Sequence, residues 1–335
     1  MSRRVSAVVF GGAGTAGTQI IRSLISHGID IVGAVEVAKL GEDVGVHAGL
    51  EPLGVVFEAD AAAVLNRTKP DVAVLAIATG LPTTFASAKL ALVRGCNVVT
   101  IAEDAFYPMA AADRELAGEI DALAKANRVT FFATGMQDLF WQNAITMFST
   151  VVNDISRIHL VTIALQDGLS QAVLDSIYAN RTVAEFEASA GHAAHELFEG
   201  VLTAVAADLG LTPAGYQSRI EPMIARTDVY SRASDLTIGA GRILGTRELG
   251  LLRTEEDIVL GAEFQAKLGE GDEVECNRVE ITGSNPVTVT VDGMSGFENT
   301  AAIVANRIPD VLAAPPGYLT VRDLPRPSHK TNPTI

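Results

Sequence analysis

The apolar run Val5-Ser-Ala-Val-Val-Phe10 leads straight into Gly11-Gly12-Ala-Gly14-Thr-Ala-Gly17, and a helical pattern continues from there to His27. A GxGxxG that leaves a strand and opens a helix constrains a chain tightly. Gly12 permits the sharp turn, Gly14 lets backbone come close to a pyrophosphate, and Gly17 allows the helix to lie against the strand. The unpaired N–H groups at the helix start, at Thr15 and Ala16, then face phosphate oxygens. Glu36 ends the next strand, Ile29 to Glu36, at the distance of about 20 residues expected of an acid that accepts ribose hydroxyls. Strand, glycines, helix, second strand and acid in that order point to dinucleotide binding by Gly12, Gly14, Thr15, Ala16, Gly17 and Glu36 rather than to a plain turn. A carboxylate at Glu36 repels a 2′-phosphate and favours NAD, while Lys39 nearby keeps NADP open. The other reading of Glu36 is an ordinary solvated acid.

The same strand-and-helix alternation continues to residue 135. Strands are expected at Val55 to Glu58, Asp71 to Ala78, Asn97 to Ile101 and Val129 to Ala133, with helices at Asp60 to Leu65, Phe85 to Arg94 and Ala111 to Asn127. This predicts an α/β chain whose first domain is a Rossmann-type, doubly wound parallel sheet. After Gly135 the rhythm changes. A helix is expected around Trp141 to Val152, a strand from Ile155 to Ala164 and a long helical region from Thr182 to Leu209. Strands without intervening helices follow at Pro222 to Gly239, Asp257 to Leu268, Glu273 to Gly283 and Val287 to Val291. They should pair largely antiparallel in a second, α+β domain. The expected division is 1–135 for the dinucleotide, 136–298 for substrate and dimerisation, and 299–335 as a closing helix and extended tail returning to the first domain. The antiparallel sheet offers a face for a homodimer.

Composition removes several function classes. The 335 residues carry 25 Lys plus Arg against 40 Asp plus Glu, a formal net charge of −15. A field this negative repels phosphate backbones and anionic lipid, so neither nucleic acid nor a membrane surface is an expected partner. Two cysteines, Cys96 and Cys276, make no disulfide framework, and the apolar run before Gly11 is too short for a signal segment. A cytoplasmic location is expected.

The most informative segment is Thr100-Ile-Ala-Glu103-Asp104-Ala-Phe-Tyr-Pro108, which sets two carboxylates at the exit of the Asn97 strand. Many two-domain Rossmann oxidoreductases place a lysine there to polarise a carbonyl or deprotonate a hydroxyl. This chain has six lysines and none falls in the segment. A carboxylate stabilises ammonium or iminium and opposes charge on an alkoxide, so the swap points to an amine substrate. Apolar neighbours such as Phe106 would favour proton exchange by Glu103. The plainer readings are a capping or salt-bridged acid for Glu103 and an arginine partner for Asp104.

The segment resembles the amine dehydrogenases related to 2,4-diaminopentanoate dehydrogenase, which carry Glu-Glu-Leu-x-Tyr-Pro at this strand end. Gly41-Glu-Asp-Val-Gly45, Lys69-Pro-Asp71, Gly191-His192, Asn299-Thr-Ala-Ala302 and the run from Ile308 to Pro325 extend the resemblance over most of the chain. It implies a dihydrodipicolinate-reductase-like two-domain fold, with Glu103 as the acting residue. The implied reaction interconverts a primary amine and a ketone or aldehyde plus ammonia by hydride transfer with NAD or NADP. Where the family often has Gly-Thr-Gly-x-Asn-Pro-Gly-Phe, this chain has Ala133-Thr-Gly-Met-Gln137-Asp138-Leu-Phe140-Trp141, and Ala194 replaces a family glycine. Both departures are expected to touch the substrate pocket, so the diamino acid specificity is not carried over. The alternatives are a carbonyl or alcohol oxidoreductase and a non-catalytic dinucleotide sensor.

Four residues are substrate-side candidates and one stands at the cofactor. Phe140 and Trp141 wall a pocket or pack a hinge; Thr300 is a polar group near substrate or a helix N-cap. Thr79, at the exit of the Asp71 strand, lines the nicotinamide or caps the next helix. His192 contacts substrate or cofactor, or simply packs. His192, His195 and Glu196 share a helical stretch, but no third ligand stands at a recognisable spacing, and no metal is expected. Neither cysteine has a helix N-terminus to activate it, which argues against thiolate chemistry.

Overall fold

Short, nearly all-apolar runs build the first sheet. The computed structural model describes residues 3–109, 111–169, 171–189 and 197–335. In it β1 (Ser6–Phe10), β2 (Asp30–Val35), β3 (Phe57–Glu58), β4 (Val72–Leu75), β5 (Asn97–Thr100) and β6 (Thr130–Ala133) alternate with helices. These are α1 (Thr15–Ser26), α2 (Val44–His47), α3 (Ala61–Thr68), α4 (Leu81–Leu92) and α5 (Ala111–Asn127). Every residue of β4 and β6 is buried, as in strands covered on both faces. A C-terminal strand, Gly317–Leu319, completes a seven-stranded sheet in the order Gly317–Leu319, β6, β5, β4, β1, β2, β3, with every pairing parallel. The chain runs outward from β1 to β3, returns to β4 on the other flank of β1, and runs outward again. The reversal is a topological switch point, and open α/β sheets bind ligands at the carboxyl ends of the strands on either side of it.

Two compact units result, one reaching Asn143 and rejoined by Gly296–Ile335, the other Ala144–Ser295. At the end of the first stretch Gln137–Ala144 winds as a π-helix. The second unit opens with α6 (Ile145–Ser149), β7 (Arg157–Leu165), α7 (Gln171–Ser176), α8 (Val183–Ala188) and α9 (Leu197–Leu209). It continues with β8 (Pro213–Ile224), β9 (Val229–Ser231), β10 (Leu236–Ile238), β11 (Ile243–Thr254), β12 (Val259–Lys267), β13 (Cys276–Thr282) and β14 (Val287–Asp292). Six of these strands form a sheet in the order β14, β13, β7, β12, β11, β8. All neighbours are antiparallel except the β7–β12 pair, so the expectation of a mostly antiparallel second sheet holds.

Two expectations need correction here. The sequence reading had no strand at β11, although it pairs over its length with both β12 and β8. Charged residues and two glycines hide it, and both glycines answer close contacts. A Cβ at Gly245 would lie 2.2 Å from the Ala266 carbonyl oxygen, and one at Gly250 would lie 2.8 Å from Phe198 Cβ on α9. The expected helical region from Thr182 to Leu209 holds α8 and α9 but is not continuous. Thr182 and Glu185 form a reciprocal capping box at the start of α8, and Ser189 is already extended.

The last segment belongs to the first unit. Helix α10 (Gly296–Ala313) lies along α1, and the tail pairs with the amino terminus through Arg3 N–H to Ile335 O at 3.1 Å and an antiparallel Arg4–Thr334 bridge. Beside it, Asp71 accepts two bonds from the Arg3 guanidinium at 2.7 and 2.6 Å and two from Ser6.

Candidate functional site

The carboxyl edge of the first sheet is aligned by one repeated bond. The residue leaving each strand donates its N–H to the terminal carbonyl of the next: Glu36 to Glu58, Gly11 to Val35, Ala76 to Phe10, Ile101 to Leu75 and Thr134 to Thr100, at 2.9 to 3.2 Å. The glycine loop, Glu36, the β4 exit, Glu103 and Gly135 therefore follow strand ends held level with one another.

At the β1 exit the three motif glycines differ in what requires them. A Cβ at Gly17 would lie 2.1 Å from Gly11 O, and one at Gly12 would lie 2.9 Å from the Phe57 ring, so both are fixed by packing. At Gly14 the nearest atom would be 3.6 Å away. The protein itself has room for a side chain there, so the open face suits the close approach of another molecule. Gly14 is the N-cap of α1, with no side-chain cap and no acid in the first turn. The N–H groups of Thr15, Ala16 and Gly17 have no intrahelical acceptor and are positioned for an anion. Glu36 closes the far side, accepting from Ala13 N–H at 3.1 Å and Val37 N–H at 2.8 Å. A carboxylate has about four acceptor positions, so further ones are left for hydroxyls. These residues fit a dinucleotide.

Thr79 is exposed and is not a cap, because Gly80 holds that position with no side-chain bond. Its carbonyl instead accepts the Asp104 N–H at 3.2 Å, tying the β4 exit to the β5 exit. At the latter, buried Thr100 donates its hydroxyl to Leu75 O at 3.3 Å and accepts Ala102 N–H at 3.1 Å. The chain then makes a 3₁₀ turn, Glu103–Ala105, on which Glu103 is half-buried and followed by the buried Phe106 ring. From the C-terminal strand the Tyr318 hydroxyl donates to Ala105 O, so the turn carrying Glu103 is held both from the β4 exit and from the far side of β6. Asp104 does not meet the expected arginine; its Oδ2 is 3.6 Å from where a Gly80 Cβ would stand. Burial and then the Asp104 charge push the Asp113 carboxyl up. Burial, followed by the Asp113 and Asp104 charges, pushes the Tyr318 phenol up as well. Asp104 and Asp113 thus lie close enough to Tyr318 for their charges to act on it.

The β6 exit carries a feature that spacing could not reveal. Asp138 and Arg307, 169 residues apart, are both fully buried and form a two-pronged pair at 2.6 and 2.7 Å. Asp138 also accepts from the Thr134 hydroxyl and the Asn143 amide, both at 2.8 Å. Arg307 reaches Pro325 O at 2.5 Å and Asp310 at 3.2 Å, and Asp310 is also paired with Lys330 at 2.5 Å. Asp138 is therefore not a pocket residue, as the departure from the family pattern had suggested; it fastens α10 to the end of β6. Thr300 lies in the second turn of α10, which begins at Gly296, so it is not an N-cap. Its methyl stands 3.4 Å from the Cβ position of Gly135, which brings it to the sheet edge. Phe140 and Trp141 are each 4% exposed on the π-helix. His192, His195, Glu196 and Ala194 lie outside the described residues.

Burial pushes the Cys96 thiol up to about 12, and burial with the Asp292 side chain raises Cys276. Both remain thiols near neutrality. The lysines are committed elsewhere: Lys89 pairs with Glu119, Lys125 with Asp121, Lys267 with Glu273 and Lys330 with Asp310. Lys69 ends α3 in the left-handed region, and Lys39 lies exposed after β2. None stands at the β5 exit.

A profile of the 2,4-diaminopentanoate dehydrogenase C-terminal domain matches residues 141–333. The chain belongs to the 2,4-diaminopentanoate dehydrogenase family. It is 27% identical to the 2,4-diaminopentanoate dehydrogenase of Acetoanaerobium sticklandii, over 97% of this chain and 94% of that one. The amine dehydrogenase of Mycobacterium smegmatis superposes with a TM-score of 0.87 at 32% identity, covering 97% of each chain. GenD2 from gentamicin A biosynthesis, solved with NAD, shares the fold at TM-score 0.61 and 14% identity, over 96% of this chain and 90% of its own. Membership of the family makes this chain an oxidoreductase. Among the described residues no helix is long and apolar enough to cross a membrane.

Proposed function

We propose that this chain is an NAD(P)-dependent dehydrogenase that interconverts a primary amine and a ketone or aldehyde plus ammonia. The observation that carries the reading is the β5 exit, where Glu103 occupies a doubly anchored turn with Asp104 beside it and no lysine. The names of the two full-length relatives, one a 2,4-diaminopentanoate dehydrogenase and one an amine dehydrogenase, support an amine as substrate.

When bound, the nicotinamide supplies hydride to the substrate carbon or removes it. Gly12, Gly14 and the first N–H groups of α1 hold the pyrophosphate, and Glu36 accepts from the ribose, which favours NAD. Thr79, at the exit of β4, and Thr300, on α10 beside Gly135, line the reacting end. Glu103 stabilises the cationic iminium, orients ammonia or the amine, and exchanges the proton at nitrogen as carbonyl and ammonia condense with loss of water. Glu103→Ala should abolish amination while NADH or NADPH binding survives. Full amination by that variant would remove Glu103 from the mechanism.

The open face of the second sheet is where we place a second copy of the chain. By register, Leu249 on β11, Arg278 on β13 and Glu263 on β12 share it with Val161 on β7, itself buried, whereas α9 covers the opposite face at Gly250. An apolar centre between opposite charges suits a two-fold, self-complementary contact. Light scattering should give a dimer mass, and Leu249→Glu should give a monomer.

A further inference from the structure

Helix α2 follows the second strand of the proposed dinucleotide site, and its position is fixed by one acid. Asp43 accepts from four backbone N–H groups, those of Gly45, Val46, Leu53 and Gly54, at 2.8 to 3.1 Å. Gly45 sits against Glu51 O with no room for a Cβ. This platform delivers His47, the last residue of α2, to the glycine loop. Its Nε2 lies 3.3 Å from Ala13 O and its Nδ1 lies 3.2 Å from Glu42 Oε1. The ring meets Phe57 edge-on at 5.3 Å, and Phe57 is the ring that packs on Gly12.

With the ring proton on Nε2 the contact is a hydrogen bond donated to Ala13 O, and it matters because of which peptide it holds. The Ala13 carbonyl and the Gly14 N–H belong to one planar unit, so fixing the oxygen fixes the direction of that N–H. Glu36 already holds the preceding peptide through Ala13 N–H. The two side chains hold the residue between the two glycines from opposite ends, and the Gly14 N–H itself donates to Gly11 O at 3.3 Å.

We propose that His47, through the Ala13 carbonyl, is a positioning residue that sets the dinucleotide affinity of the glycine loop. The proposal rests on the dinucleotide reading above. It touches neither the hydride transfer nor Glu103, so His47 acts on cofactor binding and not on the chemical step.

The test is titration of the full chain with NADH and with NADPH, read by nicotinamide fluorescence, for wild type, His47→Leu, His47→Gln and His47→Asn. A glutamine amide nitrogen reaches the place of Nε2, and an asparagine nitrogen does not. His47→Leu and His47→Asn should raise Kd about three- to tenfold, the range one hydrogen bond supplies, and His47→Gln should stay within about twofold. In turnover the loss should appear in KM for the dinucleotide and not in kcat. Should His47→Leu fail to fold, the split between Gln and Asn carries the result. If wild type binds a dinucleotide and all three variants bind it equally, or Asn and Gln behave alike, the proposal is overturned alone. If wild type binds neither dinucleotide, the functional reading falls and the proposal falls with it.

Discussion

Arg307→Met should destabilise the first unit by about 4 kcal/mol, because it leaves a fully buried carboxylate without its counter-charge. Asp138 would keep only the neutral donors of Thr134 and Asn143. The reciprocal change, Asp138→Asn, should cost less, about 2 to 3 kcal/mol, since the buried charge that remains is still neutralised in part. The residual counter-ion is Asp310, 3.2 Å from Arg307 and 8% exposed. In the double variant no unpaired charge is left at either position, and Asp310 retains Lys330 at 2.5 Å. The double should therefore cost only about 1 to 2 kcal/mol, so that a double-mutant cycle returns a coupling of several kcal/mol, at or beyond the top of the range for residues in contact. Urea unfolding is the assay, with a reporter built in. The single tryptophan, Trp141, lies three residues beyond Asp138 and is 4% exposed. By heat, about 4 kcal/mol in a unit of this size corresponds to a fall of roughly 8 to 16 °C. Additive single costs, or an Arg307→Met variant within about 1 kcal/mol of wild type, would refute the claim that this pair fastens α10 to the sheet.

Other consequences can be measured separately. Glu36→Ser should raise the use of NADPH relative to NADH, since it removes the carboxylate that opposes a 2′-phosphate; an unchanged ratio of kcat/KM values would dissociate Glu36 from the ribose. Gly17→Ala drives a methyl to 2.1 Å from Gly11 O, so dinucleotide affinity should fall about 5- to 150-fold, the effect of about 1 to 3 kcal/mol of overpacking, and unchanged affinity would show that the loop can yield. Acid should weaken the fold through Asp71, Asp43 and Asp121. Burial raises each carboxyl, but Arg3 with Ser6, four backbone N–H groups, and Lys125 with Tyr318 N–H respectively hold them below the usual range. A lowered folded value means the stabilisation is complete above the unfolded value of about 4 and fades as pH falls through the folded one. Asp71→Asn should flatten the acid limb of a stability–pH curve; an unaltered limb would contradict this.

How much was legible in the sequence depended on range. β1, β4, β5 and β6 are legible as apolar runs bounded by turns, and the order of strand, glycines and acid singles out Gly14 and Glu36 as candidates. Glu103 was legible because a strand exit fixes which residue reaches the carboxyl edge. β11 was not, because its glycines answer to contacts with β12 and α9 that lie outside any local window. The strand Gly317–Leu319 has three residues, too few for periodicity, and is defined only by its parallel partner β6. The role of Asp138 was misread for the same reason: its meaning lies in Arg307, which no local spacing connects to it.

The central claim is that the carboxylate at the β5 exit serves amine chemistry. NADH or NADPH consumption with a panel of ketones and aldehydes, run with and without ammonium, tests it most directly. The account predicts turnover that requires ammonium and yields a primary amine. Reduction of a carbonyl at the same rate without ammonium would contradict it and leave a carbonyl reductase; binding without turnover on any member of the panel would leave a dinucleotide sensor.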